Sequence, residues 1–379
     1  MNRSRLLASL LCLGFGLEPA MAVESAPLTA SDAGAVPSLG KPADSIDPSR
    51  FGPAPMPLDA VMPMVPPLPQ GTPASETAPG QAPDLGANPT AKPRDGIDPN
   101  RFGGKPSDEA YGAFQRGLYK TAYNLAVPRA EAGDAAAQTL VAEILSRGLG
   151  VARNDGAAAR WYEAAAEQGV PEAQFQYALL LLDGKYVNRD DKAASALMQA
   201  AAEAGNRLAQ FNYAQMLIQR EPGSKGLEKA VPYFERAAAT GLADAQYAMS
   251  QVYANGVGGR LRDDRRARLL LVQAARQNYD TAQFDLALWM VGGRGGERDL
   301  KSAFGWMKLA AEGGNVAAQN RLAKFYMGGI GVDPDPILAG AWYINARRAG
   351  LTDPEMDDFL RGLTDVEMKQ ALERGNRIR

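Results

Sequence analysis

The chain has 379 residues, and its 41 lysines and arginines nearly balance 43 aspartates and glutamates, for a formal net charge of −2. It contains no histidine, and its one cysteine is Cys12. These counts exclude a Ser-His-Asp triad, a Cys-His pair and an imidazole zinc site, and the lack of a basic block argues against a nucleic-acid partner.

Residues 1–22 have the pattern of an export signal. Two arginines precede an apolar run over residues 6–17, and small residues follow up to Ala22. We predict cleavage near Ala22 and a mature protein that is periplasmic or secreted. Cys12 does not follow a small residue, which disfavours lipidation. The apolar run is too short to span a bilayer and no later segment is apolar enough, so the mature chain is predicted to have no transmembrane segment.

Residues 23–107 hold 18 of the 26 prolines and are rich in alanine, glycine and serine. Such a stretch buries too little apolar surface to offset the entropy lost on ordering. We therefore predict a disordered, proline-rich linker with extended polyproline character.

One stretch of the linker is duplicated. Residues 41–52 return as residues 92–103 with nine of twelve positions identical, and both copies contain Ile-Asp-Pro-x-Arg-Phe-Gly. A recent duplication under no constraint would explain this. The functional alternative is a doubled docking peptide, whose two copies on one tether raise the apparent affinity for a partner. The predicted contact residues of this peptide are Ile46, Arg50, Phe51, Ile97, Arg101 and Phe102.

Residues 108–136 are predicted to form an N-terminal capping helix pair. Tyr111, Phe114 and Leu118 fall at helical spacing in the first helix, and Ala122 belongs to the second. A solenoid needs such an entry element because its first repeat has no neighbour on one side.

An Ala-Gln dipeptide recurs through residues 137–353 at steps of 36 or 37 residues. A fixed period of this length indicates a solenoid of stacked helix pairs. Six units are predicted in this range. Their dipeptides begin at Ala137, Ala173, Ala209, Ala245, Ala282 and Ala318.

The unit that begins at Ala173 illustrates the helix pair. Tyr177 and Leu181 follow at helical spacing, Gly184 ends this first helix, and a second helix is predicted over residues 191–204. Small residues fill the slot where the two helices of a unit must approach each other. In the six units these are Ala142, Ala178, Ala214, Ser250, Ala287 and Ala323.

Residues 354–379 are predicted to form C-terminal capping helices. The stretch Thr364-Asp365-Val366-Glu367 has the spacing of a capping box, in which the first and fourth residues satisfy each other's backbone N–H groups. This predicts a helix that starts directly after Thr364.

The repeated unit resembles the Sel1-like repeat family, a relative of the tetratricopeptide solenoids. The resemblance rests on Ala-Gln followed by an aromatic residue, on the Gly-x-Gly-Val loops at 148–151 and 329–332, and on Trp-Tyr at 161–162 and 342–343. The third unit departs from it, because residues 219–226 replace the glycine loop. The resemblance implies an all-α, right-handed α-solenoid of about six Sel1-like helix-pair repeats with helical caps.

The resemblance also implies that a protein or peptide partner binds the concave face, which the first helix of each pair lines. The third, seventh and tenth residues of that helix point away from its buried stripe, by the 100° step of a helix. In the middle units they are apolar, which predicts an exposed apolar strip. An aromatic residue at the third position is also ordinary for this family and can pack against the neighbouring unit. The predicted binding residues are Phe175, Leu179, Leu182, Phe211, Ile218, Tyr247, Phe284, Leu288 and Val291.

The favoured function is a non-enzymatic periplasmic or secreted scaffold or regulator. Exported proteins similar to this family imply two versions: a regulator of a membrane sensor's periplasmic domain, and a factor in exopolysaccharide or envelope assembly. A hydrolase is a third alternative, but the hydrolases that resemble this family carry a disulfide in each repeat, which this chain lacks. We predict no catalytic residue, no metal and no cofactor. A further alternative is self-regulation, in which the linker motif occupies the groove until a partner displaces it.

Overall fold

The computed structural model describes residues 108–378, which form sixteen helices and no strand. Each helix up to Arg348 packs mainly against the helices before and after it in the chain, and the final helix packs on the one two before it. Packing that is restricted to neighbours defines a solenoid, so the predicted all-α repeat fold is confirmed. None of these helices is both long and apolar enough to cross a membrane. In chain order they are α1 (Glu109–Gln115), α2 (Tyr119–Glu131), α3 (Ala135–Arg147), α4 (Asp155–Glu167), α5 (Pro171–Asp183), α6 (Asp191–Glu203), α7 (Arg207–Arg220), α8 (Ser224–Ala239), α9 (Ala243–Asn255), α10 (Asp264–Ala275), α11 (Asp280–Gly292), α12 (Leu300–Glu312), α13 (Val316–Gly328), α14 (Pro336–Arg348), α15 (Pro354–Gly362) and α16 (Asp365–Gly375).

Most second helices of the units begin at a side chain that caps free backbone N–H groups. Before α6, Asp190 Oδ1 accepts hydrogen bonds from the N–H groups of Lys192 and Ala193 at 3.0 and 2.8 Å. An asparagine or aspartate takes the same place before α4, α10, α12 and α14. The exception is α8, which starts after Gly223 without a side-chain cap. It belongs to the third unit, whose loop departs from the repeat pattern.

The two glycines of the Gly-x-Gly loop have different tasks. Gly329 ends α13 in the left-handed conformation, with φ 66°, which glycine adopts without steric cost. Gly331 lies against the start of α12 in the preceding unit, where an added Cβ would sit 2.0 Å from the carbonyl oxygen of Leu300. The second glycine therefore lets the loop of one unit touch the second helix of the unit before it.

The core is a series of buried clusters that follow one another along the array. Small side chains at the predicted slot let the paired helices approach closely. All six of these side chains are completely buried, with 0% exposure: Ala142, Ala178, Ala214, Ser250, Ala287 and Ala323.

The glutamine of each Ala-Gln dipeptide joins two units, a role that its spacing alone does not reveal. Gln210 Nε2 donates a hydrogen bond of 3.1 Å to the carbonyl oxygen of Ala202, eight residues back in the last turn of α6. All six glutamines make this bond, at 3.1–3.5 Å. Each of these carbonyl oxygens also accepts a backbone N–H from the turn that follows its helix. The glutamine therefore adds a second bond to that oxygen and fixes the next helix beside it.

Gln210 also carries an unsatisfied polar atom. Its Oε1 is buried and has no hydrogen-bond partner among residues 108–378. In the first unit the equivalent atom, Gln138 Oε1, accepts a bond of 2.8 Å from Gln168 Nε2. Thr240 takes the place of Gln168 in the third unit. The two residues share one backbone conformation after their helices, φ −80° and ψ 1° at Thr240 and φ −81° and ψ 2° at Gln168.

We expect Thr240→Gln to raise the free energy of unfolding by about 0.5–1.5 kcal/mol, because it supplies the donor that Gln210 Oε1 lacks. Urea unfolding followed by circular dichroism would measure the gain. In a Gln210→Leu background there is no acceptor to satisfy, so the same substitution should bring no gain. An equal gain in both backgrounds would show that the new bond does not form.

The last two helices close the array against α14. Thr364 Oγ1 accepts a bond from the Glu367 N–H, and Glu367 Oε2 accepts a bond of 2.9 Å from the Thr364 N–H. The predicted capping box and the helix that starts after Thr364 are thus confirmed. Tyr343 of α14 is fully buried and donates a bond of 2.7 Å to Asp357 in α15, while α16 packs along α14.

Candidate partner-binding face

Three of the nine predicted binding residues are buried in the core. Phe175, Phe211 and Ile218 keep only 4%, 5% and 8% of their surface exposed. The ring of Phe211 lies 5.5 Å from that of Phe234 in α8, so it packs inside its own unit. The remaining six are half-buried: Leu179, Leu182, Tyr247, Phe284, Leu288 and Val291.

The half-buried residues of α9 and α11 pack towards the following part of the array. Phe284, Leu288 and Val291 of α11 pack against the cluster formed by the C-terminal helices. Tyr247 of α9 lies 5.2 Å from the ring of Tyr279, which directly precedes α11. Tyr247 and Phe284 therefore help to join units, whereas Phe211 packs within its own unit.

Asp285 of α11 is a polar member of this face that the third, seventh and tenth positions do not include. Its Oδ2 accepts hydrogen bonds from the Tyr247 hydroxyl at 3.0 Å and from Gln251 Nε2 at 3.2 Å, both on α9. Burial raises the pKa of Asp285 to about 6, against the opposing effects of these two bonds and of the positive charge of Arg294.

Arg294 does not pair with this carboxylate, because its guanidinium is engaged elsewhere. It donates to Asp264 Oδ1 at 2.8 and 3.1 Å and to the carbonyl oxygen of Ala254 at 2.8 Å. It also lies 3.9 Å from the ring centre of Trp289. Within residues 108–378, no lysine or arginine forms an ion pair with Asp285.

The same two repeat positions hold another carboxylate at the end of the array. Asn320 Nδ2 and Lys324 Nζ of α13 each lie 2.8 Å from Asp353 Oδ2. Burial alone would raise the pKa of Asp353, but the bonds from Asn320 and the charged Lys324 outweigh it and hold this pKa below its usual value. Here the chain supplies its own cation.

Other carboxylates of the repeats hold helices together. Glu163 of α4 accepts a bond of 2.6 Å from the Tyr177 hydroxyl in α5, and Glu203 of α6 accepts one from the Tyr233 hydroxyl in α8. No group of three or more possible ligands among the described residues is placed to hold a metal ion.

The helix-pair repeats can be compared with known proteins. The family model described as the Sel1 repeat matches six consecutive segments, 135–170, 171–206, 207–242, 243–279, 280–315 and 316–351. The chain belongs to the Sel1 repeat family. Each segment begins two residues before its Ala-Gln dipeptide, so that it includes the first turn of each first helix. Sel1 repeat proteins generally mediate protein–protein interaction and are generally non-enzymatic.

Solved structures of Sel1 repeat proteins resemble the array. A protective antigen present in uropathogenic Escherichia coli strains, which displays an SLR fold, is 27% identical with a TM-score of 0.50, over 69% of this chain and 64% of that one. The Sel1 repeat protein from Oxalobacter formigenes is 25% identical with a TM-score of 0.55, over 65% of this chain and 98% of that one.

A curated relative comes from a fungus. Chitin synthase regulatory factor 3 of Schizosaccharomyces pombe is 33% identical over 104 residues, which are 27% of this chain and 11% of that protein. The match therefore spans about a ninth of the fungal protein, and the Escherichia coli antigen is matched over slightly less than two thirds of its length.

The remaining sequence predictions concern residues outside the described range. The export signal over residues 1–22 and the linker over residues 23–107 precede residue 108. The same holds for the docking-peptide residues Ile46, Arg50, Phe51, Ile97, Arg101 and Phe102. These stay predictions.

Proposed function

We propose that this Sel1 repeat protein is a non-enzymatic scaffold or regulator that works in the periplasm or outside the cell. Its partner is a protein that lies across the first helices of the repeats. The observation that carries this proposal is the two groups of half-buried apolar side chains, one on α5 and one on α11, which keep open surface beside a well-packed core. A partner that covers such side chains gains the free energy of removing them from water.

Regulation of another protein is the version that the comparisons favour. The fungal relative is named a regulatory factor of chitin synthase. For an exported bacterial chain, the corresponding partners are the periplasmic domain of a membrane sensor and a protein of exopolysaccharide or envelope assembly. The export pattern of residues 1–22 supports this compartment.

The duplicated linker motif is proposed as a second contact with the partner. Ile97 and Phe102 are its apolar anchors, and Arg101 supplies a charge-assisted bond. A partner held by both the motif and the repeats would bind more tightly than by either alone, because the second contact forms at a high effective concentration.

The test is affinity capture from envelope extract with the full mature chain. Leu288→Ala combined with Val291→Ala should reduce the recovered partner by about tenfold, the effect of losing a central apolar contact. Ile97→Ala combined with Phe102→Ala tests the linker contact in the same way. Thermal unfolding of each variant checks that the repeats remain folded.

The matched control lies on second helices. Leu269 of α10 and Leu309 of α12 are 57% and 48% exposed, and their double alanine variant should recover the partner as well as the unaltered chain does. If this control loses the partner and the α11 variant keeps it, the binding face lies on the second helices and the proposal is wrong.

A further inference from the structure

Asp285 lies on the open side of α11 rather than in the core. Thr281, Asp285, Leu288 and Gly292 follow one another at steps of four, three and four residues, which places them on one face of a helix. Thr281, Asp285 and Leu288 are half-buried, and Gly292 is exposed. The carboxylate is thus next to Leu288 on the face that we propose for the partner.

Its charge is incompletely balanced within residues 108–378. The Tyr247 hydroxyl and the Gln251 amide are neutral donors, and both bind the same oxygen, Oδ2. Arg294 is held by Asp264 and by the carbonyl oxygen of Ala254. A carboxylate that has lost much of its water is stabilised when a cation pairs with it.

The carboxylate of Asp353, at the end of the array, shows how a nearby cation balances such a charge. Asn320 and Lys324 stand two units after Tyr247 and Gln251, at the same repeat positions. There the second donor is an ammonium group, 2.8 Å from Asp353 Oδ2. The two carboxylates receive donors from the same repeat positions, although Asp353 caps the start of α15 and Asp285 lies within α11. The cation at Asp285 must come from outside residues 108–378.

We propose that Asp285 binds a lysine or arginine side chain of the protein partner. Apolar residues that flank this cation in the partner lie on Leu288 and Val291. The inference rests on the proposed function, because it requires the partner to cross the first helices at α9 and α11. It adds the chemistry of the recognised segment: one basic residue beside apolar ones.

The test uses a phage library of random twelve-residue peptides, selected on the full mature protein. The unaltered protein should enrich peptides with a lysine or arginine among apolar residues. A synthetic copy of the most enriched peptide then serves as the probe, and its dissociation constant is measured by fluorescence anisotropy at pH 7.5. Asp285→Asn should bind this peptide at least about tenfold more weakly, as expected for the loss of one partner of a desolvated charge pair.

A matched pair of variants at Gln251 separates charge from packing. Gln251→Lys places an ammonium where Lys324 stands in the other site, so it should occupy Asp285 and weaken the peptide by a similar factor. Gln251→Met removes the amide without adding charge, and should weaken the peptide less than Gln251→Lys does.

The outcomes distinguish the two proposals. If apolar peptides are enriched without a basic residue, or if Asp285→Asn binds the basic peptide as tightly as the unaltered protein, the role of Asp285 is wrong while the binding face stands. If no peptide is enriched by the unaltered protein, both proposals fail. Equal weakening by Gln251→Lys and Gln251→Met would show that packing, not charge, holds the peptide.

Discussion

Gly331→Ala is expected to lower the free energy of unfolding by about 2–5 kcal/mol. Two costs add together. The residue has φ 70°, a conformation that costs any side chain about 1–2 kcal/mol. The new Cβ would also meet the carbonyl oxygen and carbon of Leu300 at 2.0 and 2.5 Å. Because these are backbone atoms at the start of α12, the contact is relieved only if the loop moves off the preceding unit.

Gly350→Ala is the control for the first cost alone. Gly350 has φ 93°, and an added Cβ there would meet no atom within 4 Å. The free energy of unfolding should therefore fall by only about 1–2 kcal/mol in Gly350→Ala. Urea midpoints of the two variants give the comparison directly, which is preferable in repeat arrays because their unfolding can depart from two states. Equal midpoints would mean that the loop does not rest on α12.

Asp285→Asn is expected to raise the free energy of unfolding near pH 7 by about 2–3 kcal/mol. The carboxyl has a pKa of about 6 in the folded protein and about 3.9 in an unfolded chain. Well below pH 4 it is protonated in both states and brings no penalty. As the pH rises through 4 to 6, the unfolded chain ionises first, and the folded state loses stability relative to it. Asparagine keeps an acceptor for Tyr247 and Gln251 but does not ionise. The loss of folding stability between pH 4 and 6 should therefore disappear in this variant.

The measurement is the urea midpoint between pH 4 and 7.5 for both proteins. Asp353→Asn serves as the control, because it should lower the free energy of unfolding near pH 7 rather than raise it. The pKa of Asp353 is lowered, so its charge stabilises the fold above the unfolded pKa, and this contribution is lost as the pH falls. If the midpoints of Asp285→Asn and the unaltered chain run parallel over this range, the carboxyl is not desolvated and needs no external cation.

Much of the fold could be predicted because the same sequence pattern occurs in six consecutive units. The period placed every first helix, and the second helix predicted over residues 191–204 is observed as α6, Asp191–Glu203. Thr364 and Glu367 carried a local signal of their own, since a capping box depends on residues three apart.

The candidate site was harder to predict from the sequence, because spacing within one helix does not show which side chains of the next helix lie beside it. The 100° step placed Phe211 on an outward face, but it cannot show that Phe234 of α8 lies within 5.5 Å and covers it. Asp285 follows the third-position aromatic, at a slot where the other units carry Leu, Gln, Asn, Ala and Arg. A comparison of that slot across units would have shown the one acidic residue, although not its donors on α9.

Two recurring contacts between units run back towards the preceding part of the chain. Gly150, Gly295 and Gly331 each rest on the second helix of the preceding unit, at Lys120, Asp264 and Leu300, and the Ala-Gln glutamines reach back in the same way. During synthesis each unit therefore leaves the ribosome after the surface that receives it is complete. These two kinds of contact can therefore form in the order of translation, one unit after another.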